Sequence, residues 1–358
     1  MMAAYSAIAA ARSFEWSPVR VSAFPGVRAL AWSNDVLYAS QGYTLLRAKV
    51  HANGIAQWEN IAAHRPGVLR SLTASSSLTS RLLRDGFHAL TVLPSGHVIG
   101  AVPHAIVTLA PGEMEFRVSH RVLRGARPLH FGVTRYGQVF WGEYFDNPQR
   151  DEVHIYASSD QGRHWEVAYT FPKGTIRHVH NIVYDEFDDC FWVLTGDGGR
   201  ECRIVRASSD FKHVDVVIAG SQQARSAALV PTRHAIYFST DTPLEKNFVY
   251  RLDRRGNVKP VVPLSSSSIY GCRVASSVFF STMIEPSTIN LERDVNLYGS
   301  PDGDYWQEIS QGKKDRWPMR FFQYGNAFLP DGNNTTRYLA VTTIALENAS
   351  VETTLWRV

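Results

Sequence analysis

A closed ring of seven four-stranded β-sheets, a seven-bladed all-β propeller, is the fold class this sequence predicts. Three observations predict it. Short runs of β-branched and aromatic residues recur along the chain at a blade-like period. Each run is flanked by further strand-like stretches that end in turns rich in Gly, Asn, Asp or Pro. The last repeat is short of one strand, and the start of the chain supplies a segment that fits the gap.

The runs are "VLYASQGYTLLRAKV", "HVIGAVPHAIVTLAPG", "QVFWGEYFDN", "CFWVLTGDGG", "AIYFSTDTPLEKNFVYRLD", "SVFFSTMIEP" and "RYLAVTTIALEN", centred near residues 37, 98, 140, 192, 237, 279 and 339. A strand and a turn precede each: "VRALAWSND", "FHALTVLPSG", "LHFGVTRYG", "HNIVYDEFDD", "SAALVPTRH", "CRVASS" and "NAFLPDGNN". Third strands follow in "VHIYASS", "RIVRASS", "FVYRLD" and "NLYGS", and fourth strands in "QWENIA", "HWEVAYTF", "VDVVIAG", "VKPVVPL" and "YWQEIS". One segment, "SSSLTSRLLRDG", has a helical period and falls between blades one and two. The last repeat stops at a third strand, "TTLWRV", and "FEWSPVRVSAF" resembles a fourth strand. Residues 13–23 are therefore expected to complete the last blade, making residues 1–358 one domain without free sheet edges. Two stacked β-sandwiches are the competing architecture, but sandwiches rarely repeat at this period.

Composition narrows the function. A net charge of +4 with no Lys/Arg run argues against nucleic acid, and no apolar run approaches membrane-spanning length. Cys190, Cys202 and Cys272 form neither a disulfide framework nor a paired metal knuckle, and read as buried thiols. The Ala-rich start lacks a basic n-region, so a cytoplasmic location is expected ahead of secretion, and the sequons in "NNTT" and "NAS" carry no weight. Oligomeric state is not legible.

"SSDQGRHW", Ser158–Trp165, follows the pattern Ser-x-Asp-x-Gly-x-x-Trp; "SPDGDYW", Ser300–Trp306, is one residue shorter, and "SSDFKHVD" keeps the Ser and Asp. These stretches resemble the Asp-box, or bacterial-neuraminidase repeat, of the sialidase-like propellers. Each lies between the third and fourth strands of its blade, where that family carries the box. Asp160 is suited to accept backbone N–H groups across the hairpin, Gly162 to take a positive φ, and Trp165 to pack between sheets. The resemblance implies the fold and a place among carbohydrate-active propellers. Sialidases also use three arginines, a Tyr–Glu nucleophile pair, an Asp acid and an early Arg-Ile-Pro segment; that segment is absent, so this is not a typical sialidase.

The first strand of each blade starts at the mouth of the channel, and the loop after the second strand returns there, where ligand sites form. His88, His130, His180 and Arg225 each lie eleven residues before a second-strand residue, Ile99, Trp141, Phe191 and Ile236, which suggests equivalent inner positions. The second-strand loops bring Glu143, Asp197, Asp241 and Glu285 to the same mouth; Tyr144, Tyr270 and Tyr324 add phenols, and Arg84, Arg127, Arg177 and Arg225 add cations, with His178 beside them.

Three readings follow. In the first the mouth is a site that cleaves an acidic polysaccharide or oligosaccharide: arginines hold a carboxylate, and His88, His130, His180 or Tyr270 moves a proton. Hydrolysis would use a carboxylate pair from Glu143, Asp197 and Glu285. Elimination needs one base, one acid and a charge neutraliser. Hydrolysis is taken first because hydrolases are the commoner enzymes among Asp-box propellers. In the second reading His88, His130 and His180 hold a divalent metal; otherwise no cofactor is required. In the third the histidines line a wet channel in a non-catalytic glycan-binding or scaffold propeller. "TGDGGRE" and "YDEFDD" read as turns rather than phosphate or calcium loops, and "SQGKKDRW" as an exposed basic loop.

Overall fold

The computed structural model describes residues 16–55, 57–67, 70, 85–319, 321–347 and 349–358. Arg84, residues 13–15 and most of the helical-period segment lie outside the described residues. The chain is a seven-bladed β-propeller. In the order first to fourth strand, blade one is Arg28–Asn34, Val36–Gln41, Thr44–His51 and Glu59–Ala63; blade two is Ala89–Val92, Val98–Val102, Ala105–Leu109 and Arg117–Arg121. Blade three is Gly132–Val133, Val139–Gly142, Val153–Ser158 and Glu166–Phe171; blade four is His178–Asp185, Cys190–Gly196, Arg203–Ser208 and Val214–Ala219. Blade five is Ser226–Pro231, Ala235–Thr240, Asn247–Asp253 and Val258–Leu264; blade six is Ser268–Val274, Ser277–Thr282, Asp294–Ser300 and Gln307–Lys313. Blade seven is Asn326–Phe328, Tyr338–Leu346 and Ala349–Arg357, closed by Val19–Pro25.

The closing strand is antiparallel to Ala349–Arg357, with Val19 opposite Arg357 and Pro25 opposite Glu352. Trp16, just upstream, packs on Phe279 of blade six at 5.7 Å between ring centroids. A second seam was not visible as a strand. Asp331–Asn334, the "DGNN" expected to be a turn, leaves blade seven and pairs parallel with the first strand of blade one, Ala31 opposite Asp331. It lies on the channel side of that strand, because the sheet order runs from it into blade one.

Why the second strands read as continuous apolar runs is plain from the packing. Every one of them lies between two neighbouring blades, so both faces are covered, and Cys190–Gly196 is buried throughout. Fourth strands face solvent, as in Val214–Ala219, where no residue is buried. One apolar cluster fills each of the seven interfaces between adjacent blades; between three and four it is built on Phe140, Ile155, Ile182, Phe191 and Phe211.

The Ser-x-Asp hairpins close through their own side chains. The Ser158 hydroxyl donates to Asp160 Oδ1 at 2.8 Å, Asp160 accepts the N–H groups of Arg163 and His164, and Gly162 has φ +78° with its N–H on Ser158. Ser208 with Asp210 and Ser300 with Asp302 repeat the first bond. "YDEFDD" is more than a solvated turn: Asp185 is buried, ion-paired to Arg254 of blade five and accepting the indole N–H of Trp192 at 3.1 Å. "TGDGGRE" carries a short 3-10 turn, Gly199–Glu201. All three cysteines are free, and among the described residues no helix is long and apolar enough to cross a membrane.

Candidate functional site

Blades four, five and six build one polar group at the ends of their inner strands. In each, the first strand carries a β-bulge whose extra residue is His180, Ala227 or Ile269. A bulge re-aims the side chains around it. The residues two positions before the bulge, His178, Arg225 and Ser267, are therefore equivalent. The N–H groups of Asp241 and Met283 bond the carbonyls of Arg225 and Ser267, at 2.9 and 2.8 Å, in matching fashion. This corrects the eleven-residue count. The hairpin from Tyr184 to Phe191 is longer than that from Pro231 to Ile236, so counting across it equated Arg225 with His180 instead of His178.

Asp197 is the hub. Its Oδ1 lies 3.4 Å from His178 Nε2, 3.3 Å from His180 Nε2 and 3.4 Å from Arg225 Nη2, while Oδ2 is 3.5 Å from Arg177 Nη1. The two imidazole Nε2 atoms are 3.0 Å apart. Burial works against the Asp197 carboxylate, but hydrogen bonds from His178 and His180 outweigh it and hold the carboxyl well below the usual range. Burial lowers His180. Gly196 has no side chain because a Cβ there would sit 2.6 Å from His180 Cε1. Tyr144 covers the pair, 4.4 Å from the His178 ring, and burial, helped by Asp197 and Asp241, pushes its phenol up to about 12.

Arg225 Nη2 also lies 3.6 Å from Asp241 Oδ2. Burial, opposed by Arg225 and reinforced by Glu285 and Asp197, pushes the Asp241 carboxyl up to about 8. Glu285 accepts the Ser267 hydroxyl at 2.6 Å. Arg177 is also paired with Asp146. The Nε atoms of Arg177 and Arg225 are buried without a hydrogen-bond partner among the described residues. The group can hold an anion at its guanidiniums, and it sets an ionised carboxylate beside one that keeps its proton. His178, His180 and Asp197 are also the one group of three His, Cys, Asp or Glu residues, among those described, placed to hold a metal ion.

The other candidates fall elsewhere. His130 bonds Asp331 Oδ2 through Nδ1 at 2.8 Å, and Tyr270 packs between His130 and Phe328. Arg28 reaches the carbonyls of Phe87 and His88 and stacks on Phe328 at 4.3 Å, with Arg127 electrostatically coupled to Tyr270. Burial pushes the Tyr270 phenol up to about 12, which ill suits it to moving a proton. The expectation of a metal held by His88, His130 and His180 is thus corrected: the parallel strand at the seam places Asp331 on His130, while the bulge turns His180 toward His178. Glu143 is corrected too. It is buried in an ion pair with Arg124 and accepts the His154 N–H at 2.8 Å, which occupies both oxygens away from Asp197. Tyr324 is at the rim, next to Gly325, whose carbonyl accepts the Ile284 N–H beside Glu285. Sequence reasoning placed Asp241 at the mouth without a role and missed Ser267 and Asp331. The acid after "ST" in blade five, matching the acid after "TG" in blade four, was the available signal for Asp241.

No family model matches the chain, and no curated protein matches it. Solved structures do. The WD40 β-propeller domain of Doa1 superposes with a TM-score of 0.58 at 8% identity, over 95% of this chain and 96% of that one. A chain of the mitotic checkpoint complex crystal structure reaches 0.57 at 9% identity, over 95% and 94%. A gluconolactonase from Xanthomonas campestris aligns over 74% of this chain and 92% of that one, at 11% identity and a TM-score of 0.45, too remote for any argument. The first two likenesses support the β-propeller fold, whose seven blades the sheet topology shows.

Proposed function

We propose that the mouth at blades four to six binds an acidic polysaccharide or oligosaccharide and hydrolyses a glycosidic bond. Asp241 serves as the acid that protonates the leaving oxygen, and Asp197 as the ionised carboxylate opposite it. Arg177 and Arg225, whose side chains are 31% and 14% exposed, hold the sugar carboxylate through their terminal guanidinium N–H groups. The observation that carries this reading is Arg225 Nη2, in reach of both Asp197 and Asp241. The two contacts set an upper limit of about 7 Å on the separation of those oxygens, which admits the spacing of a pair that flanks a scissile glycosidic bond. Their environments also drive their proton affinities apart, as an acid/base pair needs. Exposed Trp317, Phe321 and Tyr324 near the same end offer apolar faces of the kind sugar rings stack on. The three Ser-x-Asp hairpins support grouping the chain with the sialidase-like propellers.

The test is incubation with a panel of acidic and neutral polysaccharides, reading reducing ends together with unsaturated uronate absorbance. Reducing ends alone, lost in Asp241→Asn with binding kept, is the expected result. Unsaturated product would replace hydrolysis by elimination. Binding without release would make this a glycan-binding propeller, and neither binding nor release would overturn the glycan reading.

A further inference from the structure

The tautomers of His178 and His180 are set by their surroundings. His178 Nδ1 lies 3.0 Å from the carbonyl oxygen of Phe145, and His180 Nδ1 lies 2.9 Å from that of Ser226. A carbonyl oxygen only accepts, so each Nδ1 carries the ring proton and each neutral ring presents a lone pair at Nε2. Those two lone pairs meet at 3.0 Å, and Asp197 Oδ1 faces both at 3.3 and 3.4 Å. In their neutral forms the rings and Asp197 offer three converging acceptors, and the Nε2 protons that bond Asp197 in the metal-free protein are what a bound cation displaces. Ligand atoms sharing one tetrahedral zinc with bonds of about 2.0–2.1 Å stand about 3.3 Å apart, which is this spacing.

We propose that His178 Nε2, His180 Nε2 and Asp197 Oδ1 bind one first-row transition-metal dication, zinc in the first place. Imidazole nitrogens select such a metal over calcium or magnesium, which prefer all-oxygen shells. The Nδ1–H···O=C bonds are the partners that orient metal-bound imidazoles, and Arg177 holds the remaining oxygen of Asp197. Charge favours a dication as well: with Asp241 keeping its proton, Asp146, Asp197 and Glu285 still outnumber Arg177 and Arg225 within this group. Both histidines are buried, while the Asp197 side chain is 28% exposed, so the coordination position left over opens to the mouth. Three protein ligands with one position for water or substrate is the arrangement of a catalytic centre, not of a closed structural site. The inference does not depend on the glycan reading. If a cation is bound, Asp197 becomes its ligand, and the open position takes the water that Asp197 would otherwise orient.

The experiment uses the full chain stripped with a chelator and dialysed. Zinc chloride is titrated by calorimetry, and cobalt chloride by visible absorption. One equivalent of zinc should bind, and cobalt should show the intense d–d bands of low coordination number. His178→Ala and His180→Ala should each weaken zinc by more than the about 10–100-fold that losing an outer hydrogen-bond partner costs, while His130→Ala leaves it unchanged. Should a variant misfold, ¹⁵N NMR of the unaltered protein decides. Zinc must shift Nε2 of His178 and His180 and leave Nδ1 protonated. Zinc binding no tighter than in the double variant, or an imidazolium at either ring that persists with zinc present, would overturn the proposal.

Discussion

The group at the ends of blades four to six and the group inside the channel use the same residue types: histidine, aspartate, arginine and tyrosine. They differ in how far those residues satisfy one another. In the channel His130 has Asp331, Arg28 has two carbonyls and an aromatic face, and Tyr270 is packed between rings. At the mouth Asp197 gathers four long contacts of 3.3 to 3.5 Å, two guanidinium Nε atoms have no partner among the described residues, and two imidazoles face each other. Buried polar groups that are matched hold a fold together, whereas groups left short of partners mark a place prepared for something else. The channel group ties the seam between blades seven and one to blades three and six; the mouth group is free to work.

The largest effect that would sharpen this contrast is on turnover. Asp241→Asn should lower glycan cleavage by about 10²–10⁴-fold, the usual worth of a positioned acid, with no loss of thermal stability. If cleavage survives in the Asn variant, Asp241 is not the acid. Asp331→Ala should do the opposite, leaving His130 buried without its partner and costing about 1–3 kcal/mol of stability in urea unfolding, with cleavage per folded molecule unchanged. A loss of turnover larger than the loss of folded protein would break the division between the two groups.

The pH response comes next in size. A carboxyl raised in the folded state keeps its proton where the unfolded chain has lost it. The stability that Asp241 contributes is therefore full below the ordinary aspartate value of 3.8 and is lost as pH rises through about 8. Unfolding curves across that range should show the decline, flattened in Asp241→Asn, and cleavage should fall along an alkaline limb in the same region. The smallest effect is expected from Glu143→Gln. It weakens the pair with Arg124 outside the mouth group and should cost about 0.5–1.5 kcal/mol with turnover unchanged in steady-state assays.

Legibility in the sequence followed burial. A second strand covered on both faces is apolar over most of its length, so "CFWVLTG" and its six counterparts stand out in the sequence. The Ser-x-Asp hairpins were visible for a related reason: their bonds are made within a few residues. The site was legible only as a list of polar residues near strand ends. Which of them meet depends on a bulge at His180, on hairpins of unequal length, and on "DGNN" leaving its blade, and none of these has a compositional mark. Glu143 looks the same as Asp197 along the chain; Arg124 and the His154 N–H separate them in space.

The chain by itself determined the number of blades, the strand order within each, and the N-terminal closure, because these rest on periodic burial and on local turn chemistry that every short window carries. The tertiary structure alone decided which charges share a site. An ion pair or a converging pair of imidazoles is set by distances of a few ångströms across separate blades. A shift of one residue in a strand, here the bulge at His180, turns the same side chains toward different neighbours.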